Sequence, residues 1–388
     1  MTEGTTGLVR AREIYQDRSY QAKQPKAKGK KIIGHLCIYT PLEMMTALDL
    51  VPYRIFGDMR EPITQADSCL PTVVCPFLRS ALDLGLKGKY DFFDGVVMPH
   101  ACEVGEKLAH IWRTYLNPPY SFYIDTPHSK HETALEYHRN LLGDFKKSLE
   151  SFTGKELSAE KLREAIKVHN QQRALVRELY EMKKPDPPLI SGAETLQVMK
   201  ALMSIPVDEG NELLQEVISE LKDRKNGPSK GIRLLIWGSI VDDVALIELI
   251  EEAGANVVID DICVGSRVFF PDVEITKDPL DGLARRYLID LKCPRTFMEA
   301  VFGETRKDYM ADLEARFSYI RDYAKEWNAK GVILYSVRYC DIHGYEVPQI
   351  KDYFGSVGLP SIYLEYDYSE ASLAPLRTRA QAFLEVLR

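Results

Sequence analysis

Three cysteines in this sequence, Cys75, Cys102 and Cys340, each stand where a run typical of a strand gives way to a run typical of a helix. Each is followed by proline or an acidic residue, which suit the first turn of a helix. A thiol at a helix start faces free backbone N–H groups and the positive end of the helix dipole, which favour its thiolate form. Because thiolates bind soft metals and iron–sulfur clusters, the pattern predicts a metallocluster protein.

The sequence contains four further cysteines, Cys37, Cys69, Cys263 and Cys293. The odd total of seven and the irregular spacing argue against a disulfide framework. There is no CxxC pair, so any cluster has to be assembled from distant loops. We interpret Cys37 as a core residue inside the first strand, Cys69 as a supporting or structural residue, Cys293 as a loop residue and Cys263 as the best additional ligand. The alternative, that the cysteines are buried free thiols, stays open.

Three residues near the predicted strand ends are candidates for proton transfer. Glu43 follows the first strand, where an acid either complements a helix dipole or transfers protons in a cleft. His100 lies just before Cys102, and His343 lies just after Cys340. Each histidine is a candidate proton donor or a hydrogen-bond partner of the cluster.

The composition of the 388 residues limits the classes of function. Lysine and arginine number 50 and aspartate and glutamate 57, so the net charge of −7 argues against a nucleic-acid or anionic-membrane partner. The basic stretch at residues 23–31 is interpreted as a solvated arm, with phosphate contact as the alternative. There is no signal-peptide pattern and no run of the about 18 apolar residues that a membrane helix needs. We therefore expect a cytoplasmic protein.

The order of predicted elements divides the chain into four parts. A basic N-terminal arm (1–30) precedes a first α/β domain (31–128), a helical segment (129–226) and a second α/β domain (227–388). Strands that alternate with helices of this length predict βαβ units and a parallel sheet in each α/β domain. Ligands of such sheets bind at the carboxyl ends of the strands. If the two domains face each other, one cleft would hold all three cysteines.

Other chemical motifs are absent from the sequence. It contains no GxGxxG after a strand, no GxxxxGK phosphate loop, no GxSxG nucleophile elbow and no HExxH. We therefore expect that the chain does not hydrolyse ATP itself.

Four long blocks of the sequence resemble the family of 2-hydroxyacyl-CoA dehydratase and benzoyl-CoA reductase subunits. The blocks lie in the right order at residues 34–55, 70–113, 234–267 and 331–367, and include LPTVVCPFLRS, VVMPHACEVGE and VRYCDIHGYE. The resemblance implies two Rossmann-like (flavodoxin-like) domains with a helical insert. It also implies a 4Fe–4S cluster that is bound by three cysteines, which map onto Cys75, Cys102 and Cys340. The fourth iron would lack a protein ligand.

The resemblance implies an activity as well. Members pair with a homologous second subunit and receive an electron from a separate ATP-dependent iron–sulfur activator. The favoured function is a (R)-2-hydroxyacyl-CoA dehydratase, which eliminates water through a ketyl radical to give an enoyl-CoA. The alternatives are a benzoyl-CoA reductase-type subunit, a double-cubane-cluster reductase and a non-catalytic electron-relay subunit. A nucleotide- or sugar-binding protein with incidental cysteines is a further alternative.

Overall fold

The computed structural model describes residues 6–300 and 308–388 and contains two parallel four-stranded sheets. The strands are β1 (Lys31–His35), β2 (Leu50–Arg54), β3 (Gly95–Pro99), β4 (Ser121–Ile124), β5 (Ile232–Gly238), β6 (Ala255–Asp261), β7 (Gly331–Val337) and β8 (Ser361–Tyr366). The helices are α1 (Gly7–Gln16), α2 (Arg18–Ala27), α3 (Leu42–Thr46), α4 (Pro76–Leu86), α5 (Glu103–Leu116), α6 (Glu132–Thr153), α7 (Ala159–Glu181), α8 (Gly192–Leu202), α9 (Val207–Lys222), α10 (Ala245–Glu252), α11 (Ser266–Phe269), α12 (Pro279–Arg285), α13 (Tyr309–Glu326), α14 (Asp341–Gly344), α15 (Glu346–Ser356) and α16 (Leu373–Leu387).

The two sheets have the same strand order. It is β2-β1-β3-β4 in the first sheet and β6-β5-β7-β8 in the second. In each sheet, the second strand of the domain lies on one side of the first strand and the third strand lies on the other. This reversal of strand order leaves a crevice at the carboxyl ends of the two central strands. The predicted α/β class with two Rossmann-like parallel-sheet domains is confirmed.

The central strands are buried along their whole length. Every residue of β3 and β7 is buried, as expected for apolar runs that are covered by helices on both faces. The helical segment consists of α6 to α9, and the side chains of Ser158 and Ser191 cap α7 and α8 as their positions predict. Ser191 and Glu194 form the expected capping box. The burial of β3 and β7 fixes the positions of their carboxyl ends, which precede Cys102 and Cys340.

The N-terminal segment forms two helices before the first strand. Residues 7–27 form α1 and α2, and Ala11 and Ile14 of α1 are buried in contact with the core. In the basic stretch, Lys26 donates a hydrogen bond of 2.6 Å to the backbone oxygen of Phe92 and forms an ion pair of 3.1 Å with Asp94. The other four lysines of the stretch, at positions 23, 28, 30 and 31, are exposed, so most of it is solvated as expected.

The structure differs from the predicted strands in two places. The first strand ends at His35, so Cys37 lies in the loop beyond it. The residues before Cys75 form turns and no strand, and Val73 is 65% exposed. A β-branched run predicts a strand only where a partner strand covers it, and none lies beside these residues in the described part of the chain.

Among the described residues, we find no helix with a stretch both long and apolar enough to cross a bilayer.

Candidate metal centre

A cavity of about 100 Å³ lies at the carboxyl ends of both sheets. The loops that follow β1, β3, β5, β6 and β7 all contribute to its wall. Six of the seven cysteines line it: Cys37, Cys75, Cys102, Cys263, Cys293 and Cys340. The structure thus brings Cys75 and Cys102 of the first domain to the same cavity as Cys340 of the second.

Each of the three predicted ligands is the residue immediately before a helix. Cys75 precedes α4, Cys102 precedes α5 and Cys340 precedes α14. The sulfur of Cys102 accepts a hydrogen bond of 3.3 Å from the backbone amide of Gly105. The helix-start positions predicted from the sequence are confirmed.

The pKa values of these thiols are raised, whereas their helix-start positions predict lowered values. Burial raises the pKa of Cys75 to about 12 and that of Cys102 to about 11, and it raises the pKa of Cys340 well above its ordinary value. Backbone N–H groups at the helix starts lower each pKa, but the loss of solvent has the larger effect. Burial therefore favours the protonated thiols over the thiolates, and metal binding would have to displace their protons.

The six cavity cysteines form two groups of three by the electrostatic interactions between their sulfurs. The first cysteine group consists of Cys75, Cys102 and Cys340, and each of its sulfurs interacts with the other two. The second cysteine group consists of Cys37, Cys263 and Cys293, and its sulfurs interact with one another in the same way. Cys102 also interacts with Cys37, and Cys340 with Cys263, so the two groups adjoin each other.

The spacing of the sulfurs tests which metal group would fit. In the described part of the chain, no three thiol sulfurs lie within 4.8 Å of one another, so neither group is arranged around a single ion. An iron–sulfur cluster binds each thiolate to a different iron atom, and it therefore suits a wider set of thiols. A donor set made only of thiols on a largely apolar cavity wall fits such a cluster.

Arg267 connects the two cysteine groups. Its side chain is fully buried and forms an ion pair of 2.9 Å with Asp261. One nitrogen, Nη1, lies 3.6 Å from the sulfur of Cys263 and 3.2 Å from Nε2 of His343. Because a guanidinium only donates hydrogen bonds, Nε2 of His343 must accept, which places the proton of the neutral ring on Nδ1. That Nδ1 lies 3.4 Å from the sulfur of Cys340 and donates toward it.

His343 therefore lines the cavity as a hydrogen-bond donor. Burial, assisted by the charge of Arg267, holds the pKa of its imidazole well below the usual value. Two roles were predicted for His343, a proton donor in the reaction and a hydrogen-bond partner of the cluster. The geometry favours the second role, with Cys340 as the hydrogen-bond acceptor.

Glu43 lies outside the residues that line the cysteine cavity and is fully buried. It forms an ion pair with Arg173 and accepts a hydrogen bond of 2.8 Å from the hydroxyl of Tyr287. Burial alone would raise the pKa of Glu43, but Arg173 and His169 outweigh it and hold the pKa at about 2. The carboxylate is ionised at neutral pH, so the geometry favours a structural role.

His100 also lies apart from the cavity lining. Its Nδ1 is 3.0 Å from a carboxylate oxygen of Asp125, and its Nε2 is 3.4 Å from Nε2 of His128. With Glu103 and Glu106 it forms a group whose ligand atoms all lie within 4.8 Å of one another. Sequence reasoning did not predict this group.

Sequence reasoning underestimated the second cysteine group. Cys37 and Cys263 each follow the end of a strand by two residues, since β1 ends at His35 and β6 ends at Asp261. That shared spacing was the available signal. The sequence does not reveal this spacing, because apolar residues continue after His35 and suggest a longer first strand.

Two flavodoxin-like domains of identical strand order, which share one thiol-lined cavity, define a two-domain α/β protein with a candidate metallocluster site. The chain belongs to the family described as 2-hydroxyglutaryl-CoA dehydratase, D-component, whose sequence profile matches residues 37–387. The resemblance predicted from the four blocks is confirmed.

The relatives carry the names of two kinds of enzyme. The chain is 25% identical to a benzoyl-CoA reductase subunit of Thauera aromatica, over 98% of each chain. It is 25% identical to the (R)-phenyllactyl-CoA dehydratase beta subunit of Clostridium sporogenes, over 96% of each. It is 24% identical to the beta subunit of (R)-2-hydroxyglutaryl-CoA dehydratase of Acidaminococcus fermentans, over 93% of this chain and 94% of that one. The protein is thus a member of an acyl-CoA dehydratase and reductase family.

Proposed function

We propose that this chain is the iron–sulfur subunit of an acyl-CoA-processing enzyme, specifically of a (R)-2-hydroxyacyl-CoA dehydratase. The first cysteine group would hold a 4Fe–4S cluster with one iron free of protein ligands. The observation that carries the proposal is the meeting of thiols from both domains at one cavity between the sheets. The dehydratase assignment draws on the relatives that bear that name.

When bound, the cluster supplies a low-potential electron relay and an open iron that acts as a Lewis acid toward a substrate oxygen. The chain's own residues hold and tune it. His343 donates a hydrogen bond to Cys340, and the buried charge of Arg267 lies beside Cys263. Apolar side chains make up much of the cavity wall and would limit the access of water to a bound cluster: Leu36, Phe77, Leu78, Ile240, Val337 and Ile342.

The proposed function includes partners. The relatives are named as subunits, which supports a homologous second subunit for this chain. A separate ATP-dependent activator would supply the electron, in keeping with a sequence that lacks a phosphate loop. The substrate would be an acyl-CoA thioester.

An anaerobic assay of the complex with its partner subunit and activator tests the reaction. We expect a (R)-2-hydroxyacyl-CoA to be converted to the enoyl-CoA, which chromatography of the thioesters detects. Reduction of benzoyl-CoA instead would assign the chain to the reductases. Turnover of neither substrate by a complex with full iron content would sink both assignments.

The second cysteine group favours a second candidate, a reductase with a double-cubane cluster. Six thiols line one cavity, whereas a single 4Fe–4S cluster with an open iron needs half of them. We expect about four iron atoms per chain for the dehydratase and about eight for the second candidate, measured with acid-labile sulfide after anaerobic purification. Changing Cys37, Cys263 and Cys293 to alanine should lower the iron content only in the second case. Unchanged iron in that variant would remove the second candidate.

A further inference from the structure

A second cavity, of about 50 Å³, lies next to the cysteine cavity. Cys37 and Arg54 line both of them. Three arginine side chains line this second cavity: Arg54, Arg173 and Arg286. Each of the three is at least 95% buried.

The positive charge at this cavity exceeds the negative charge. Arg173 forms its ion pair with Glu43. Arg286 instead donates to the backbone oxygens of Val268 and Pro271. Among the residues that the structure describes, Arg54 and Arg286 have no carboxylate within 4.0 Å. Among the described residues, only Arg173 of the three arginines thus has a carboxylate in ion-pair contact, and unpaired buried charge is unfavourable unless a counter-ion is present.

The histidines of the lining do not change this balance. Burial is the main cause that lowers the pKa of His169 to about 4 and the pKa of His35 well below its usual value. Both rings are neutral at neutral pH, so they add no positive charge and offer no anion.

Three buried polar atoms of the lining residues have no hydrogen-bond partner in the described part of the chain. They are Nε of Arg54, in a residue 3% exposed, the hydroxyl of Thr40, in a residue 1% exposed, and Nδ1 of His35, in a residue 4% exposed. Buried polar groups nearly always have a partner, so three unpartnered atoms among the residues of one cavity point to a bound molecule. The space exceeds the about 10–15 Å³ that one water needs. It is too small for a nucleotide or a CoA group.

We propose that this cavity binds a small monoanion, either a halide or a short carboxylate such as formate, through Arg54 and Thr40. The ligand would accept the hydrogen bond from Nε of Arg54 and from the Thr40 hydroxyl, and its negative charge would offset one of the two arginine charges that have no ion pair. The site does not depend on the proposed iron–sulfur function, because neither group is a proposed ligand of the cluster.

Crystals of the full chain that are soaked in sodium bromide test the site. We expect an anomalous bromine peak within hydrogen-bonding distance of Arg54 and Thr40. In a second soak, excess sodium formate should remove that peak if the site prefers carboxylates and leave it if the site prefers halides; both results support an anion site. A cavity that holds water alone in bromide would overturn the proposal.

Variants measured in solution check that the cavity is responsible. Bromide should raise the thermal unfolding midpoint of the wild type and of R60M, whose exposed Arg60 pairs with Asp243 away from the cavity. In R54M the bromide-dependent shift should be lost, and T40V should need a severalfold higher bromide concentration than the wild type to reach the same shift. T40V keeps the test open if R54M does not fold. A shift of equal size in T40V and R60M would contradict the proposal. Iron content, measured in parallel, separates this result from the fate of the cluster proposal.

Discussion

Changing Cys75, Cys102 and Cys340 together to alanine is expected to reduce the bound iron from about four atoms per chain to almost none. The three sulfurs are the only strong donors that the proposed single cluster takes from the protein, and alanine removes them without adding bulk. Iron and acid-labile sulfide, measured on anaerobically reconstituted protein, give the result directly. Each single variant should lower the iron content as well, because a cluster with two remaining thiolates is easily lost.

Cys69→Ala is the matched control for this experiment. Cys69 lies in the loop before Cys75, 3.4 Å from the hydroxyl of Ser68, and it does not line the cysteine cavity. Its replacement should leave the iron content unchanged. Full iron in the triple variant would refute the cluster assignment. Retention of half the iron would instead favour the double-cubane candidate, in which the second cysteine group holds a cluster of its own.

Breaking the ion pair between Glu43 and Arg173 is expected to lower the free energy of unfolding by about 3–5 kcal/mol. In E43Q or R173M the remaining charge would stay buried without its partner, and both side chains are almost inaccessible to solvent, at 0% and 6% exposure. Urea denaturation of the purified chain measures the change.

Arg177→Met provides the comparison within the same helix, one turn further along. Arg177 forms an exposed ion pair with Asp272 at 2.7 Å, and loss of such a pair should cost at most about 1 kcal/mol. If E43Q were as stable as R177M, Glu43 would not be the buried structural carboxylate that the contacts indicate.

The same pair should make stability fall in acid. The pKa of Glu43 is about 2 in the folded protein and 4.5 in its ordinary state. Because the folded pKa is the lower one, the stabilisation is complete above pH 4.5 and is lost as the pH falls from 4.5 toward 2; it amounts to about 3 kcal/mol. Urea midpoints of wild type and E43Q across this range should converge as the pH falls. A constant gap between them would contradict the assignment.

Much of the fold follows from local sequence. The runs that became β3 and β7 are apolar and end at Cys102 and Cys340, and the serines at 158 and 191 start helices, so periodicity and capping chemistry were enough to predict these elements. The strand predicted before Cys75 was wrong because a strand needs a partner, and no local pattern reveals whether one is present.

Local patterns in the chain are sufficient to predict two parallel α/β domains that each present cysteines at helix starts. That Cys37, Cys263 and Cys293 join them at one cavity, and that Glu43 lies in an ion pair with a residue 130 positions away, becomes visible only in the folded protein. The burial that raises the pKa values of Cys75, Cys102 and Cys340 is likewise visible only in the folded chain. The physical reason is that burial and charge pairing depend on what surrounds a group in space, whereas periodicity and capping depend on its neighbours along the chain.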